Sequence, residues 1–358
     1  MNLTELFTPK IIAANYTEAA SNAIPYLGSG LFPSVKRAGL DLAWIKGHKG
    51  LPVSLKPSAF DAKATFRDRI GVSKLETEMP FFREGYKIEE KDRQEILRAQ
   101  SSNDPYAADV INRVYDDQQD LIAGADVVPE RMRMQLLFPE GGAMGITIKA
   151  NGVNYTYNYD PDSKWKGTNY TALTTTDLWT ATSTADPFKQ IQTIKDNMAN
   201  NYGVTLAYMV MNTTTFNLMK ATDAVKNRWL TVTGRSMGYL TNDEAKDVIA
   251  STTGIQIVIY DKLYADESGA SHKFVPDGYV SFIPEGALGK TAYGTTPEEA
   301  DLAGSGKADV AIVNTGVAIT VETTVHPVNV NTYASEIVLP SFERMDEVAV
   351  MKVTAGPG

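Results

Sequence analysis

Hydrophobic and polar positions change period several times along this chain, and each change predicts a different kind of element. Leu40 to Ile45 (Leu-Asp-Leu-Ala-Trp-Ile) partly alternates, as a half-buried strand does, and extended character resumes at Phe81 to Ile88. Between them stand Gly47, Gly50, Pro52 and Pro57 with no core period, so two strands joined by a long loop are predicted to project from the body. Ahead of them, Met1 to Pro33 offers a short helix near Asn15 to Asn22. It is otherwise broken by Pro25, Gly28, Gly30 and Pro33, which is the pattern of an arm.

A helical period begins after Asn103. Asp104 can accept from the free N–H groups of a first turn, and Pro105 stands where its missing N–H costs nothing. Val110, Val114, Leu121 and Ile122, with Tyr106, Ile111 and Tyr115 beside them, form an apolar stripe, and Asp109, Arg113, Asp116, Asp117 and Asp120 form the opposite face. Gly124 and Pro129 predict a kink or a restart near Val127, with helix again over Glu130 to Leu137 until Pro139, Gly141 and Gly142 end it.

Beyond the helix the period becomes two. Gly145 to Ala150 and Val153 to Tyr159 alternate across Asn151-Gly152, the dipeptide best suited to a tight hairpin turn, and Tyr155, Tyr157 and Tyr159 share one strand face. Asp160 to Ala185 is a polar, Thr-rich connection, after which Asp186-Pro187 opens a helix to about Asn200. Strand is predicted over Thr205 to Met211, helix over Thr213 to Lys226 and Asp243 to Ala250, and strand over Ile255 to Tyr260 and Tyr279 to Ile283. Gly286 to Gly306 is predicted as loop, and strands return at Val317 to Thr323, Glu336 to Leu339 and Glu347 to Val353. Helices and strands alternate in the middle with sheet at both ends, the order of an α+β protein with one inserted domain.

Composition narrows the class. With 358 residues, 43% hydrophobic and 22% charged, the chain can bury one large core or two modest ones. No run of about eighteen apolar residues appears, and the first residues lack a secretion signal, so synthesis in the cytoplasm is expected. The absence of cysteine removes disulfides, thiolate nucleophiles and thiolate metal sites together. A net charge of -9 opposes tight wrapping of nucleic acid. The charge is uneven: between Leu40 and Lys74 stand Lys46, Lys49, Lys56, Lys63, Arg67, Arg69 and Lys74 against only Asp41, Asp61 and Asp68, while Glu76 to Glu95 and Asp104 to Asp120 are rich in carboxylates. A basic stretch beside acidic ones suits contact between identical subunits.

The residues that could carry chemistry do not converge. His48, His272 and His326 are far apart and show no metal-ligand spacing. Gly304, Gly306 and Lys307 resemble a phosphate loop but fail it at Asp301 and Ala308; Asp160 and Asp162 begin like a calcium loop but fail it at Lys164 and Trp165. Phe81, Phe82 and Tyr86 beside Arg83 could stack on bases, but the adjacent Glu84, Glu89 and Glu90 favour packing at a strand edge. No catalytic residue, cofactor site or metal site is predicted.

Four segments carry a family resemblance: Asn103-Asp-Pro-Tyr106, Val128-Pro-Glu-Arg-Met-Arg-Met-Gln-Leu-Leu137, Phe274-Val-Pro-Asp-Gly278, and His326-Pro-Val-Asn329 through Ser341-Phe-Glu-Arg-Met-Asp-Glu-Val348. In this order the chain resembles the lambda-type, gpE-like major capsid proteins of tailed bacteriophages, which have the HK97 fold. The resemblance implies an N-terminal arm over 1–39 and an extended E-loop over 40–88. It also implies a P domain over 89–185 with a spine helix at about 104–137, an inserted A domain over 186–318, and P-domain return strands with a P-loop over 319–358. It implies a shell protein whose main partner is itself, in hexamers and pentamers that form an icosahedral shell around double-stranded DNA. A separate scaffolding protein is expected because almost nothing precedes the arm; a portal is implied too, and a decoration protein is compatible with the family. Lys49, Lys56, Lys63, Arg67 and Arg69 on the E-loop and His326 and Asn329 at the P-loop are the candidate interface residues. Two rival readings share the acidic, cysteine-free, motif-poor composition: another phage structural protein such as a tail-tube subunit, and a soluble enzyme.

Overall fold

The computed structural model describes residues 8–20, 25–46, 73–88, 90–101, 106–150, 153–303, 309–325 and 328–356. Helix α1 (Pro9–Ala20) and the short α2 (Leu27–Leu31) precede strands β1 (Ser34–Lys36), β2 (Asp41–Lys46), β3 (Ser73–Glu78) and β4 (Phe81–Ile88). Helices α3 (Glu90–Ser101) and α4 (Tyr106–Leu137) follow, then the hairpin strands β5 (Gly145–Ala150) and β6 (Val153–Asn158), short α5 (Lys164–Asn169) and β7 (Tyr170–Ala172). The middle of the chain runs α6 (Pro187–Tyr202), β8 (Leu206–Met211), α7 (Thr213–Ala221), α8 (Asp223–Thr233), α9 (Asn242–Thr253), β9 (Gln256–Ile259), β10 (Leu263–Ala265), β11 (Ser271–Lys273) and β12 (Tyr279–Pro284). Strands β13 (Lys290–Tyr293), β14 (Asp309–Val313), β15 (Val317–Val325), β16 (Val328–Ser341) and β17 (Ala349–Lys352) complete it.

These elements divide into two compact units. The first takes in 1–43, 76–132 and 289–341. Its sheet runs β1-β13-β16-β15-β14, and the 14-residue β16 organises it: β15 lies antiparallel along residues 328–335, β4 along 330–337 and β13 along 338–341. Residues alternating on one face pack under two helices. Ile12 and Tyr16 of α1 meet Ile122 of α4 with Val313 and Ile319, and Leu121 meets Val317 and Ala334. Asp116, Asp117 and Asp120 of α4 are exposed, as the amphipathic pattern predicts, while its stripe from Tyr106 to Tyr115 lies outside the described side chains.

The second unit takes in 44–75, 133–288 and 342–358. Its sheet runs β7-β17-β12-β8-β9, with β8 and β9 parallel and joined through α7, α8 and α9. Every residue of β12 is buried, as a strand covered on both faces requires. A single apolar cluster includes Ile191, Met209, Phe216, Trp229, Val248 and Phe282. Caps fix the helix starts: the Asp186 side chain accepts from the Lys189 N–H, Asn212 from Thr215, and Thr241 with Glu244 forms a capping box.

Several expectations change. Residues 8–39 are not a free arm over their described part: Ile12 and Phe32 are buried, and β1 pairs in parallel with β13. Phe81–Ile88 belongs to the first unit's sheet, because its eight residues pair one to one with β16; only β2 and β3 remain as a separate two-stranded ribbon, and residues 47–72 lie outside the described residues. Helix α4 runs through Gly124 and Pro129 without interruption, since Pro129 removes only one donor while Met132, Met134, Leu136 and Leu137 beyond it are all buried. The helix expected over 213–226 is two helices, divided at Thr222, whose extended backbone (φ -67°, ψ 145°) caps the second. The loop expected over 286–306 contains β13 and a π-helical turn at Glu298–Leu302. Residues 289–318 cluster with the tail strands, not with the preceding α/β block, because β13 pairs with β16 and β14 with β15, which itself runs along β16.

Candidate assembly surfaces

Of the interface residues named from the sequence, Lys49, Lys56, Lys63, Arg67, Arg69 and His326 lie outside the described residues. Asn329 is described. It sits near the start of β16, opposite Thr324, and is only 7% exposed.

The polar groups that looked like fragments of catalytic or metal sites serve the fold. Asp160 is buried and accepts from the N–H groups of Trp165 at 3.1 Å and Lys166 at 3.0 Å, which holds the first turn of α5. Asp162 pairs at the surface with Lys164 at 2.7 Å. His272 on β11 lies 2.7 Å from Asp266, and the Asp266 side chain also accepts from Ser268 and Ala270. Those bonds, Ser268 and His272 foremost, hold the Asp266 carboxyl well below the usual carboxylate range. Among the described residues no three His, Asp or Glu side chains gather as a metal site, and no helix is long and apolar enough to cross a membrane.

In the first unit, two carboxylates of α4 fasten the N-terminal segment. Asp126 accepts from the Tyr16 hydroxyl and from Asn314 Nδ2 at 3.0 Å, and Glu130 accepts from the Gly28 N–H at 3.0 Å. Burial, then the bond to Asp126, raises the Tyr16 hydroxyl far above the ordinary tyrosine value, so it remains a donor. Tyr26 is raised in the same sense by burial and by the charges of Asp126 and Glu130.

In the second unit, residues 231–239, the end of α8 and the start of its connection to α9, form an exposed stretch that carries Val232, Met237 and Tyr239 at 54%, 87% and 81% exposure. The stretch is fixed from beneath. Gly234 closes α8 in the left-handed region (φ 66°), where a Cβ would be strained. Arg235 lies over the Trp229 ring at 5.6 Å and pairs with Glu244 at 3.1 Å. Gly238 crosses the same ring so closely that a Cβ there would meet Trp229 Cη2 at 2.7 Å. Lys220 stands 5.9 Å from the Tyr239 ring and donates to Asn242 at 2.6 Å. The result is a positioned apolar tip with cationic flanks. Periodicity did not find it; the signal was Met237 and Tyr239 alternating with Gly238 inside a polar stretch, where no core face can use them.

The family model for phage major capsid protein E matches residues 13–353. The chain belongs to the phage major capsid protein E family. No curated protein matches it. Solved structures share its fold at low identity. One is a prophage protein of Escherichia coli CFT073 proposed as its capsid protein (13% identity, 97% of this chain and 99% of that chain, TM-score 0.58). Another is a phage-related protein of Bordetella bronchiseptica RB50 (13%, 96% and 97%, TM-score 0.54). A third is the capsid of cyanophage A-1(L) (13%, 92% and 92%, TM-score 0.52). The fold is therefore the mixed α and β HK97 fold expected from the resemblance. As a major capsid protein the chain forms a shell of copies of itself, and its place is the phage capsid. The surfaces that matter for a major capsid protein are those through which copies meet.

Proposed function

We propose that this capsid protein builds an icosahedral head around double-stranded DNA from hexamers and pentamers of itself. It would do so with a separate scaffolding protein during assembly, a portal, synthesis in the host cytoplasm, and no catalytic step of its own. The observation that carries this reading is the family match across residues 13–353.

Physical chemistry supports the details. In a closed shell each weak contact is repeated many times, so no single interface needs high affinity. The basic run Lys49, Lys56, Lys63, Arg67 and Arg69 complements acidic faces such as Asp116, Asp117 and Asp120 on another copy, and His326 with Asn329 would sit at a second contact. The net charge of -9 keeps packaged DNA from adhering to the wall. Pairing of β13 and β14 into the β16 sheet supports ending the A domain near residue 288 and assigning 289–341 to the P domain.

Electron microscopy of the purified full chain, expressed with and without a scaffold, tests this. Closed shells are expected; tubes or rings would support a tail-tube subunit instead, and monomers in every condition would overturn the reading.

A further inference from the structure

One methionine departs from all its described fellows. The chain has twelve methionines, and ten of the eleven that are described, from Met79 to Met351, are at most 4% exposed. Met237 is 87% exposed, two residues from Tyr239 at 81%. Methionine is an adaptable contact residue, and thioether and aromatic groups held open to water mark a surface that gains from being covered.

We propose that Met237 is an oxidation-sensitive assembly site: the Met237–Tyr239 tip of the free chain is covered in the shell by a second copy of this chain, and oxidation of the thioether blocks that contact. The inference rests on the shell reading above. Three observations support a second copy as the occupant. Every chain carries the tip, and in a shell built of copies a second copy is the neighbour present in equal number. Arg235 is balanced by Glu244, but Lys220 beside Tyr239 has no carboxylate partner among the described residues; a chain of net charge -9 offers the complementary acidic surface. Finally, Trp229, Arg235, Gly238 and the Thr241–Glu244 cap already hold the loop, so docking loses little conformational entropy.

The chemistry requires a hydroperoxide. Its O–O bond breaks and one oxygen bonds to the Met237 sulfur, which loses two electrons; the peroxide leaves as water or an alcohol. The sulfoxide is polar, and burying it without a partner opposes the contact. Buried methionines such as Met132 serve as internal references.

The test exposes free full-length chain and assembled particles to hydrogen peroxide and follows each methionine by peptide-resolved mass spectrometry. In the free chain Met237 should oxidise at least about ten-fold faster than Met132, and assembly should slow Met237 by about ten-fold. Peroxide-treated chain should lose most of its particle yield, whereas Met237→Leu should assemble and keep its yield after the same treatment. Equal Met237 reactivity in chain and particle would overturn the proposal, as would an equal peroxide effect on M237L. Protection that disappears once a scaffold is released would assign the tip to the scaffold and overturn it too. If particles never form, treated or untreated, the shell reading falls and this proposal with it.

Discussion

The two units treat buried polar groups differently. In the second unit the bonded ones direct the chain, although Ser281 Oγ, Trp229 Nε1 and Trp44 Nε1 are buried there without a partner: Asn169 donates to the Asp346 and Val348 carbonyls, Asn212 bonds Val275, Asp277 and Thr215, and Thr222 and Thr253 bond carbonyls three and four residues back. In the first unit the hydroxyls of Thr320, Thr332 and Ser335, all in the β15–β16 ladder, are buried without a hydrogen-bond partner. A buried hydroxyl without a partner costs about 1–3 kcal/mol. Bonded polar groups therefore specify loops in the second unit, while in the first the unpartnered hydroxyls gather along one ladder and tax a sheet that depends on the length of β16 and on the helices packed against one face.

The largest effect that tests this contrast is in the second unit. Phe282→Ala, at a fully buried position on β12, should cost about 3–5 kcal/mol by denaturant titration. A loss below about 1 kcal/mol would show that the apolar cluster does not carry that unit.

Next comes the fastening of α1. Tyr16→Phe removes the hydroxyl that donates to Asp126, and should cost about 1.5–2 kcal/mol, with faster amide exchange in α1. Exchange unchanged in α1 would mean that Ile12 and Tyr16 packing suffices.

Ser335→Ala acts in the opposite direction. Deleting a buried, unpartnered hydroxyl should leave stability unchanged or raise it by up to about 1 kcal/mol, whereas Asn212→Ala in the second unit should lower it by about 1–2 kcal/mol through the lost cap. If both substitutions destabilise alike, the contrast between the units fails.

The smallest effect is a pH dependence at the β10–β11 turn. The Asp266 carboxyl is depressed by Ser268, His272 and Ala270, so its stabilising contribution is present above the ordinary carboxylate value and is lost as pH falls toward the depressed one. Thermal midpoints of wild type and Asp266→Asn should therefore converge below about pH 4 and separate above it. Parallel curves at all pH values would remove Asp266 from the account.

Local signals were legible where a residue acts on its immediate neighbours. Asp186-Pro187 predicted the start of α6, alternation predicted β5 and β6 within a residue or two, and β12 was legible as a short apolar run. Strands whose partners are distant in sequence were harder. Glu336 to Leu339 was visible as strand, but the full β16 was not, because Asn329, Asn331, Thr332, Ser335 and Glu336 lack the apolar alternation of a core strand. β13 was hidden among glycines, and α3 (Glu90–Ser101) among charges. The basic run and His326 were chosen from charge and resemblance, while the tip at Met237 and Tyr239 emerged only when the exposure of each side chain was known.

The sequence by itself determined the locally signalled elements, the family and hence the fold, because caps, turns and periodicity act within a few residues and the family segments fall in a fixed order. Only the tertiary structure decided that the described part of residues 8–39 packs onto its own unit, that β4 lies along β16, and that Met237 faces water while ten other methionines do not. Those outcomes depend on which surfaces meet across a hundred or more residues, such as Tyr16 with Asp126 and Arg83 with Glu298, and no local pattern encodes such a meeting.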